Sequence, residues 1–157
     1  MNIKFVVVSK TDSDYIQTGI NDYMSRLRHY IPFELICLPA AKDLRNATPD
    51  IVKAREATMI LKQMERADRV VLLDEKGEEY TSTGFARQLQ KTMNSGIRTL
   101  MFVAGGAYGF DAAVYEKAHA TLSLSQMTFN HQMVRLFFAE QLYRAMTILR
   151  GEKYHNA

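Results

Sequence analysis

Three stretches of this 157-residue chain carry residue types whose spacing could do chemistry. In the first, Leu100, Met101, Phe102, Val103 and Ala104 run straight into Gly105, Gly106 and Gly109. A short continuous apolar run is how a strand buried on both faces reads. Glycines directly after it let the main chain turn sharply and let a ligand lie against bare backbone. The same pattern without a ligand is a tight strand-to-helix turn. The second stretch is the end of the VVLL run, Leu72, Leu73 and Asp74. The third is Leu124, Ser125, Gln126, Met127, Thr128 and Phe129, an irregular link between a short strand and a long helix, with main-chain N–H and C=O groups open to a ligand. Leu73, Met127 and Phe129 could wall a pocket, with plain core packing the alternative for each. Ligands in open α/β sheets bind beyond the carboxyl ends of strands, and all three stretches are such ends.

The last helix adds charge. Drawn at about 100° per residue, residues 131–150 place Glu140, Gln141, Arg144 and Thr147 on one polar stripe. Arg135 falls opposite, beside Phe138, Ala139, Leu142 and Met146, with His131 and Gln132 toward the same side at the helix start. An arginine on an apolar face is costly to bury without a partner. Either it snorkels to the surface, or it stands at a pocket rim aimed at an anion or carbonyl, with the helix N-terminus adding positive potential. Met133, Phe137 and Ile148 break the polar stripe. A long helix apolar on nearly all sides is sandwiched in a core or forms half of a subunit interface. With one sheet in the chain the interface is favoured, and a two-fold dimer is the default.

Several chemistries lack their marks. The glycine group reads GGxxG rather than GxGxxG, and no acid stands at the end of the next strand, so the nicotinamide dinucleotide fingerprint is missing. No Gly-Lys-Ser/Thr follows, which removes a phosphate-cradling P-loop. His29, His119, His131 and His155 are scattered without metal-ligand spacing, so no metal is expected. There is no G-x-S-x-G elbow. A small ligand held through backbone contacts fits what remains.

The elements that must position these groups alternate. Strands are expected at 2–9, 33–38, 70–73, 99–104 and 121–124. Helices are expected from Asp12 or Ser13 to about 28, from Thr48 to about 66, from Ser82 to Gly96, at 108–118 and at 131–150. This argues for an α/β fold with a mainly parallel sheet flanked by helices. Hydrophobic content of 47% and charged content of 24% belong to an ordinary globular protein, and the length suits a single domain over 1–157. A net charge of +3 permits a nucleic-acid partner without demanding one. The single cysteine, Cys37, excludes an internal disulfide framework and, among Leu35, Ile36 and Leu38, reads as a buried small hydrophobe. The N-terminal apolar run is too short for a signal peptide and no run reaches membrane-spanning length, so a cytoplasmic, non-membrane protein is expected.

The start NIKFVVVSK, the strand VVLLDEKG at 70–77, FVAGGAYGF at 102–110, LSLSQMTFNHQMVR at 122–135, EQLYRA at 140–145 and the tail RGEKYH at 150–155 resemble the ribosomal RNA large-subunit methyltransferase H family of the SPOUT class. The resemblance covers essentially the whole chain. The combination of GGxxG, S-x-MTF-x-H-x-x-x-R and a YH-ending tail is specific. One departure is Asn130, where members often have proline; asparagine also caps helices well.

The resemblance implies a SPOUT-type fold with a C-terminal trefoil knot, which default reasoning about topology would exclude. It implies methyl transfer from S-adenosyl-L-methionine to N3 of a pseudouridine in 23S rRNA of the large ribosomal subunit, by a homodimer acting on the ribosome. Carried over residue by residue, the cofactor site is Leu73, Gly105, Leu124, Ser125, Gln126, Met127, Thr128 and Phe129. Gly105 is expected to lack a side chain because the cofactor lies against it. His131, Arg135, Tyr154 and His155 are the catalytic candidates, with Arg135 stabilising an imide anion, His155 taking the N3 proton and the tail closing over the site. Lys10, Arg26, Arg28, Lys42 and Arg45 are candidate phosphate contacts. A nucleotide-binding oxidoreductase and a non-catalytic RNA-binding module are the competing classes; affinity for S-adenosylhomocysteine separates the methyltransferase from both.

Overall fold

The structure, a computed structural model, describes residues 1–41 and 44–156. The candidate contact Lys42 lies outside the described residues. The chain alternates strand and helix: β1 (Asn2–Val8), α1 (Asp14–Leu27), β2 (Phe33–Leu38), α2 (Pro49–Met64), β3 (Arg69–Glu79), α3 (Ser82–Asn94), β4 (Thr99–Ala104), α4 (Ala112–Lys117), β5 (Ala120–Ser123) and α5 (Met133–Leu149). The five strands form one parallel sheet in the order β2-β1-β4-β3-β5. The expected α/β architecture is what the chain adopts.

Strand alternation splits the core. One face carries Ile3, Phe5, Val7, Val71, Leu73, Phe102 and Leu122 against α1, α3 and α5; the other carries Val6, Val8, Leu72, Met101 and Val103 against α2 and α4. Helix starts follow local chemistry: Thr48 Oγ1 accepts from Ile51 N at 3.3 Å, Thr81 Oγ1 from Gly84 N at 3.0 Å, and Asp111 Oδ1 from Ala113 N at 2.9 Å. The last two correct the sequence reading, which gave the third cap to Ser82 and began the fourth helix at 108. α5 begins at Met133 rather than 131: Asn130 Oδ1 accepts from Gln132 N at 2.8 Å in a turn before the helix.

Three further differences bear on function. β3 does not stop at Leu73. Residues 74–77 bulge outward, and Glu78 and Glu79 rejoin β5 at Leu122 and Ser123. Cys37 is exposed at the carboxyl end of the edge strand β2 and donates to Ser9 O at 3.0 Å, so it is no core residue. The apolar girth of α5 is largely covered within the chain, because α1 and α3 flank it over the sheet; Phe137 stays exposed.

Register sets the site. Val7 pairs with Ala104, Ala104 with Leu73, and Leu73 with Leu122. The carboxyl ends of β1, β4, β3 and β5 therefore lie in one row, and their loops leave the sheet together.

Candidate functional site

Three of those loops meet around one cavity of about 580 Å3. The β3 bulge supplies Asp74, Glu75 and Lys76 after Leu73; the β4–α4 link supplies residues 105–110; the β5–α5 link supplies Leu124, Ser125, Met127, Thr128, Phe129, Asn130 and His131. Seven of the eight expected cofactor positions thus border one space. Gln126 is the exception: it is exposed, and its Nε2 reaches Glu79 Oε2 at 3.5 Å.

The loops are tied to one another. Tyr115 Oη, from α4, donates to Asp74 Oδ2 at 2.5 Å, while Asp74 Oδ1 accepts from Lys76 N at 3.0 Å. Burial first, and then Asp74, push the Tyr115 phenol up to about 12, so it stays a donor. Thr128 Oγ1 donates to Glu75 Oε2. Two carboxylates and Lys76 therefore stand at a cavity whose walls combine Leu73, Leu122, Leu124 and Phe129 with the polar Ser125, Asn130 and His131.

The glycines are required by the loop itself. A Cβ on Gly105 would sit 3.3 Å from the Gly109 carbonyl and 3.3 Å from Phe110 Cε1. A Cβ on Gly106 would run into the Glu56 carboxylate, 2.8 Å from Oε1. For Gly105 the loop's own fold-back adds a restriction on side chains, beside the ligand contact expected there. Glu56 is the residue that sequence reasoning missed. It is buried on α2 with Oε1 unpartnered, and burial alone raises its pKa. A wheel of α2 carries the signal, since Glu56 shares a face with Ala57, Ile60 and Met64.

The four catalytic candidates separate. His131 borders the cavity, half-buried; burial first and the Arg135 charge second lower its pKa, which favours the neutral imidazole. Arg135 is 1% exposed and does not face the cavity. Its guanidinium donates to Val8 O at 2.6 Å, Ser9 O at 2.9 Å and Thr11 Oγ1 at 2.9 Å. The pocket-rim reading of Arg135 is therefore corrected: buried one turn into a helix over the end of β1, it spends its donors on two main-chain carbonyls and the Thr11 hydroxyl. Beside it, Gln132 accepts from Asp12 N at 2.9 Å and donates to Asp12 Oδ2 at 3.0 Å.

Tyr154 and His155 lie elsewhere. α5 ends in a Schellman turn: Gly151, at φ +69°, donates to Ile148 O at 3.1 Å and Glu152 N to Thr147 O at 3.0 Å. The chain reverses, and Tyr154 packs edge-on against Tyr143 with ring centroids 4.8 Å apart. Its Oη donates to Glu140 Oε1 at 3.0 Å. Burial first, with the bonds to Tyr23 and Glu140, drives its phenol pKa well up, so it is a donor and not a base. Arg144 donates twice to Glu140, at 3.0 and 2.6 Å, and lies 3.1 Å from His155 Nδ1. At a rise of 1.5 Å per residue, Arg144 is about 16 Å along α5 from Met133, the end of the helix nearest His131. The tail does not close over its own chain's cavity.

Comparison with known proteins places this chain in a family. The family model described as "Predicted SPOUT methyltransferase" covers residues 1–155. The chain belongs to the SPOUT methyltransferase family. It is 51% identical over 156 residues to the ribosomal RNA large subunit methyltransferase H of Flavobacterium johnsoniae, covering 99% of each chain. It is 49% identical to the protein of that name from Parabacteroides distasonis, again over 99% of each. Among solved structures, a probable methylase family protein from Haemophilus influenzae Rd KW20 matches with a TM-score of 0.60 at 14% identity, over 99% of this chain and 71% of that one. A probable methyltransferase from Bordetella pertussis Tohama I matches with a TM-score of 0.57 at 14% identity, over 92% and 96%. With these two the likeness is one of SPOUT fold. Among the described residues no helix is long and apolar enough to cross a membrane, and no group of three or more His, Cys, Asp or Glu could hold a metal.

Proposed function

We propose that this protein is a 23S rRNA methyltransferase that uses S-adenosyl-L-methionine to methylate N3 of a pseudouridine in the large ribosomal subunit. In this reading it works in the cytoplasm as a homodimer of single-domain chains with a C-terminal trefoil knot. The observation that carries the reading is the convergence of Leu73, Gly105 and Leu124, Ser125, Met127, Thr128 and Phe129 on one cavity, in a chain of this family. The cavity suits the cofactor: its volume lies in the range of small-ligand sites, its walls mix apolar with polar side chains, and Asp74 and Glu75, set against the single Lys76, leave a net negative charge that favours a cation. Leu73, Leu124 and Phe129 would hold its apolar parts, and the main chain of 105–109 and 124–128 its polar ones. The bound group supplies an activated methyl on a positively charged sulfur.

The chain's own work is alignment and proton handling. The loops fix the angle of approach to the acceptor nitrogen. His131, neutral and at the cavity wall, is the candidate to receive the N3 proton. Arg135 is a positioning residue, locking the turn that carries His131 onto the end of β1. Tyr154 and His155 face away from their own cavity, so their role requires a second copy, whose tail would meet the first copy's mouth. Exposed Phe137, packed at a tilt against Phe129 with ring centroids 4.9 Å apart, marks the side on which such a copy would pack.

Two measurements test this. Titration with S-adenosylhomocysteine should give one site per chain; no binding refutes the cofactor. Ribosomes from a strain lacking this protein, incubated with it and labelled cofactor, should acquire one methyl group on 23S rRNA, mapped to a pseudouridine N3. Label elsewhere refutes the assigned base.

A further inference from the structure

The mouth of the cavity carries a residue that the cofactor reading leaves unused. Six large apolar or aromatic side chains are exposed among the described residues, and three of them, Tyr108, Tyr115 and Met127, border this one cavity. Tyr115 is committed: its hydroxyl is held by Asp74 and its ring meets Phe110 edge-on at 5.7 Å. Tyr108 is not. It is 54% exposed and stands at the third position of the turn 106–109.

That turn is stiff. Gly109 N donates to Gly106 O at 3.2 Å, the two glycines form an antiparallel bridge, and Gly109 sits at φ +80°, where a side chain would be strained. Glu56 blocks any side chain on Gly106 from behind. The backbone under Tyr108 is thus fixed from both sides, while its ring is left in water. An exposed aromatic ring on a rigid loop at a pocket mouth is a binding feature.

Charge decides what kind of group arrives. Asp74 and Glu75 share the mouth with Tyr108. Lys76 is the one lysine bordering the cavity, so Asp74, Glu75 and Lys76 together carry a net negative charge, which disfavours phosphates. The part of an RNA that can enter here is an unstacked base, which brings no charge and offers a flat face. Single-stranded RNA is read by splaying bases onto aromatic rings.

We propose that Tyr108 is a stacking platform for a nucleobase of the RNA substrate, a positioning residue that holds the base at the cavity mouth. Met127, 76% exposed on the β5–α5 link, adds a second apolar surface at that mouth. The inference rests on the RNA-methylating reading above and adds which side chain meets the base.

The test uses the full-length protein and ribosomes lacking the modification. Wild type, Y108F, Y108L and Y108A are compared for S-adenosylhomocysteine affinity, for oligomeric state and for kcat and KM toward ribosomes. Base–aromatic stacking predicts a loss of roughly 5- to 150-fold in kcat/KM for Y108A, carried mainly by KM. Y108F should stay near wild type and Y108L fall between. Cofactor affinity and oligomeric state should not move. Y108A turning over ribosomes like wild type overturns the proposal. So does a fall in cofactor affinity, which would make Tyr108 a wall of the cofactor site, and so does a change in oligomeric state, which would make it a subunit contact. A wild-type protein that binds S-adenosylhomocysteine but methylates no ribosomal RNA overturns the parent reading and this proposal with it.

Discussion

The pocket end of the molecule and the tail end handle charge in opposite ways. At the pocket end two ionisable groups are buried without a counter-charge. Arg135 gives its donors to Val8 O, Ser9 O and Thr11 Oγ1, with Nε unpartnered. Glu56 lies behind Gly106 with no cation against it. At the tail end Glu140 and Arg144 form a direct ion pair, their side chains 18% and 25% exposed, and Tyr154 and His155 lean on that pair. An unpaired buried charge has one tolerable arrangement and enforces it; a half-exposed pair can be opened and remade. The pocket end is therefore held in one arrangement, while the contacts of the tail can be opened and remade.

Removing the charges should sharpen that contrast. Arg135→Ala takes a donor from Val8 O, Ser9 O and Thr11 Oγ1, of which Ser9 O keeps only the Cys37 thiol, and empties the space of a fully buried side chain; it should cost about 3–4 kcal/mol of stability by denaturant titration. A cost below about 1 kcal/mol would show that the clamp is dispensable. Deleting residues 154–157 should leave S-adenosylhomocysteine affinity unchanged and stability within about 1 kcal/mol, yet lower turnover about 100-fold or more, the scale of a lost proton-transfer or positioning group; unchanged turnover would make the tail inert.

Glu56→Gln has a signed pH dependence. Burial raises the folded-state pKa of Glu56, so the wild type loses stability as pH rises from the ordinary carboxylate value through the raised one, because the carboxylate must then be buried ionised. The variant cannot ionise. Below about pH 4 the two should be equally stable; above the raised pKa the variant should be more stable by about 1–2 kcal/mol. A difference independent of pH would mean that Glu56 does not titrate in the fold. The smallest effect belongs to Gly151→Ala, at about 1 kcal/mol, measured by thermal melting, with faster amide exchange confined to the last turn of α5 and the tail.

Much of the pocket end is legible in the sequence. The apolar runs at 70–73 and 100–104 mark where strands stop, and residue types alone therefore put Leu73 and Gly105 at a carboxyl edge. Arg135 is visible as a polar residue on an apolar face. Its destination is not, because its partners are main-chain carbonyls more than 120 residues away, and a carbonyl has no residue type to read. The extension of β3 past its bulge is hidden for a related reason: Glu78 and Glu79 pair along a sheet edge through backbone alone. Cys37 misleads because its apolar neighbours suggest burial, whereas β2 is an edge strand. The tail's resting place depends on the Gly151 reversal and on Tyr143, Glu140 and Arg144 two turns back, a groove that no local pattern announces.

The Arg135 clamp also sets a timetable. The carbonyls it binds belong to β1 and the residue after it, among the first made, and the arginine follows 126 and 127 residues behind them. β1 in turn pairs with β4, which begins at Thr99. The centre of the sheet thus stays open until β4 exists, and the end of β1 until Arg135 does. Contacts this distant in sequence slow folding, and domains form as units once their last contacts are available. The end of β1 should accordingly be among the last parts of the sheet to become ordered during folding.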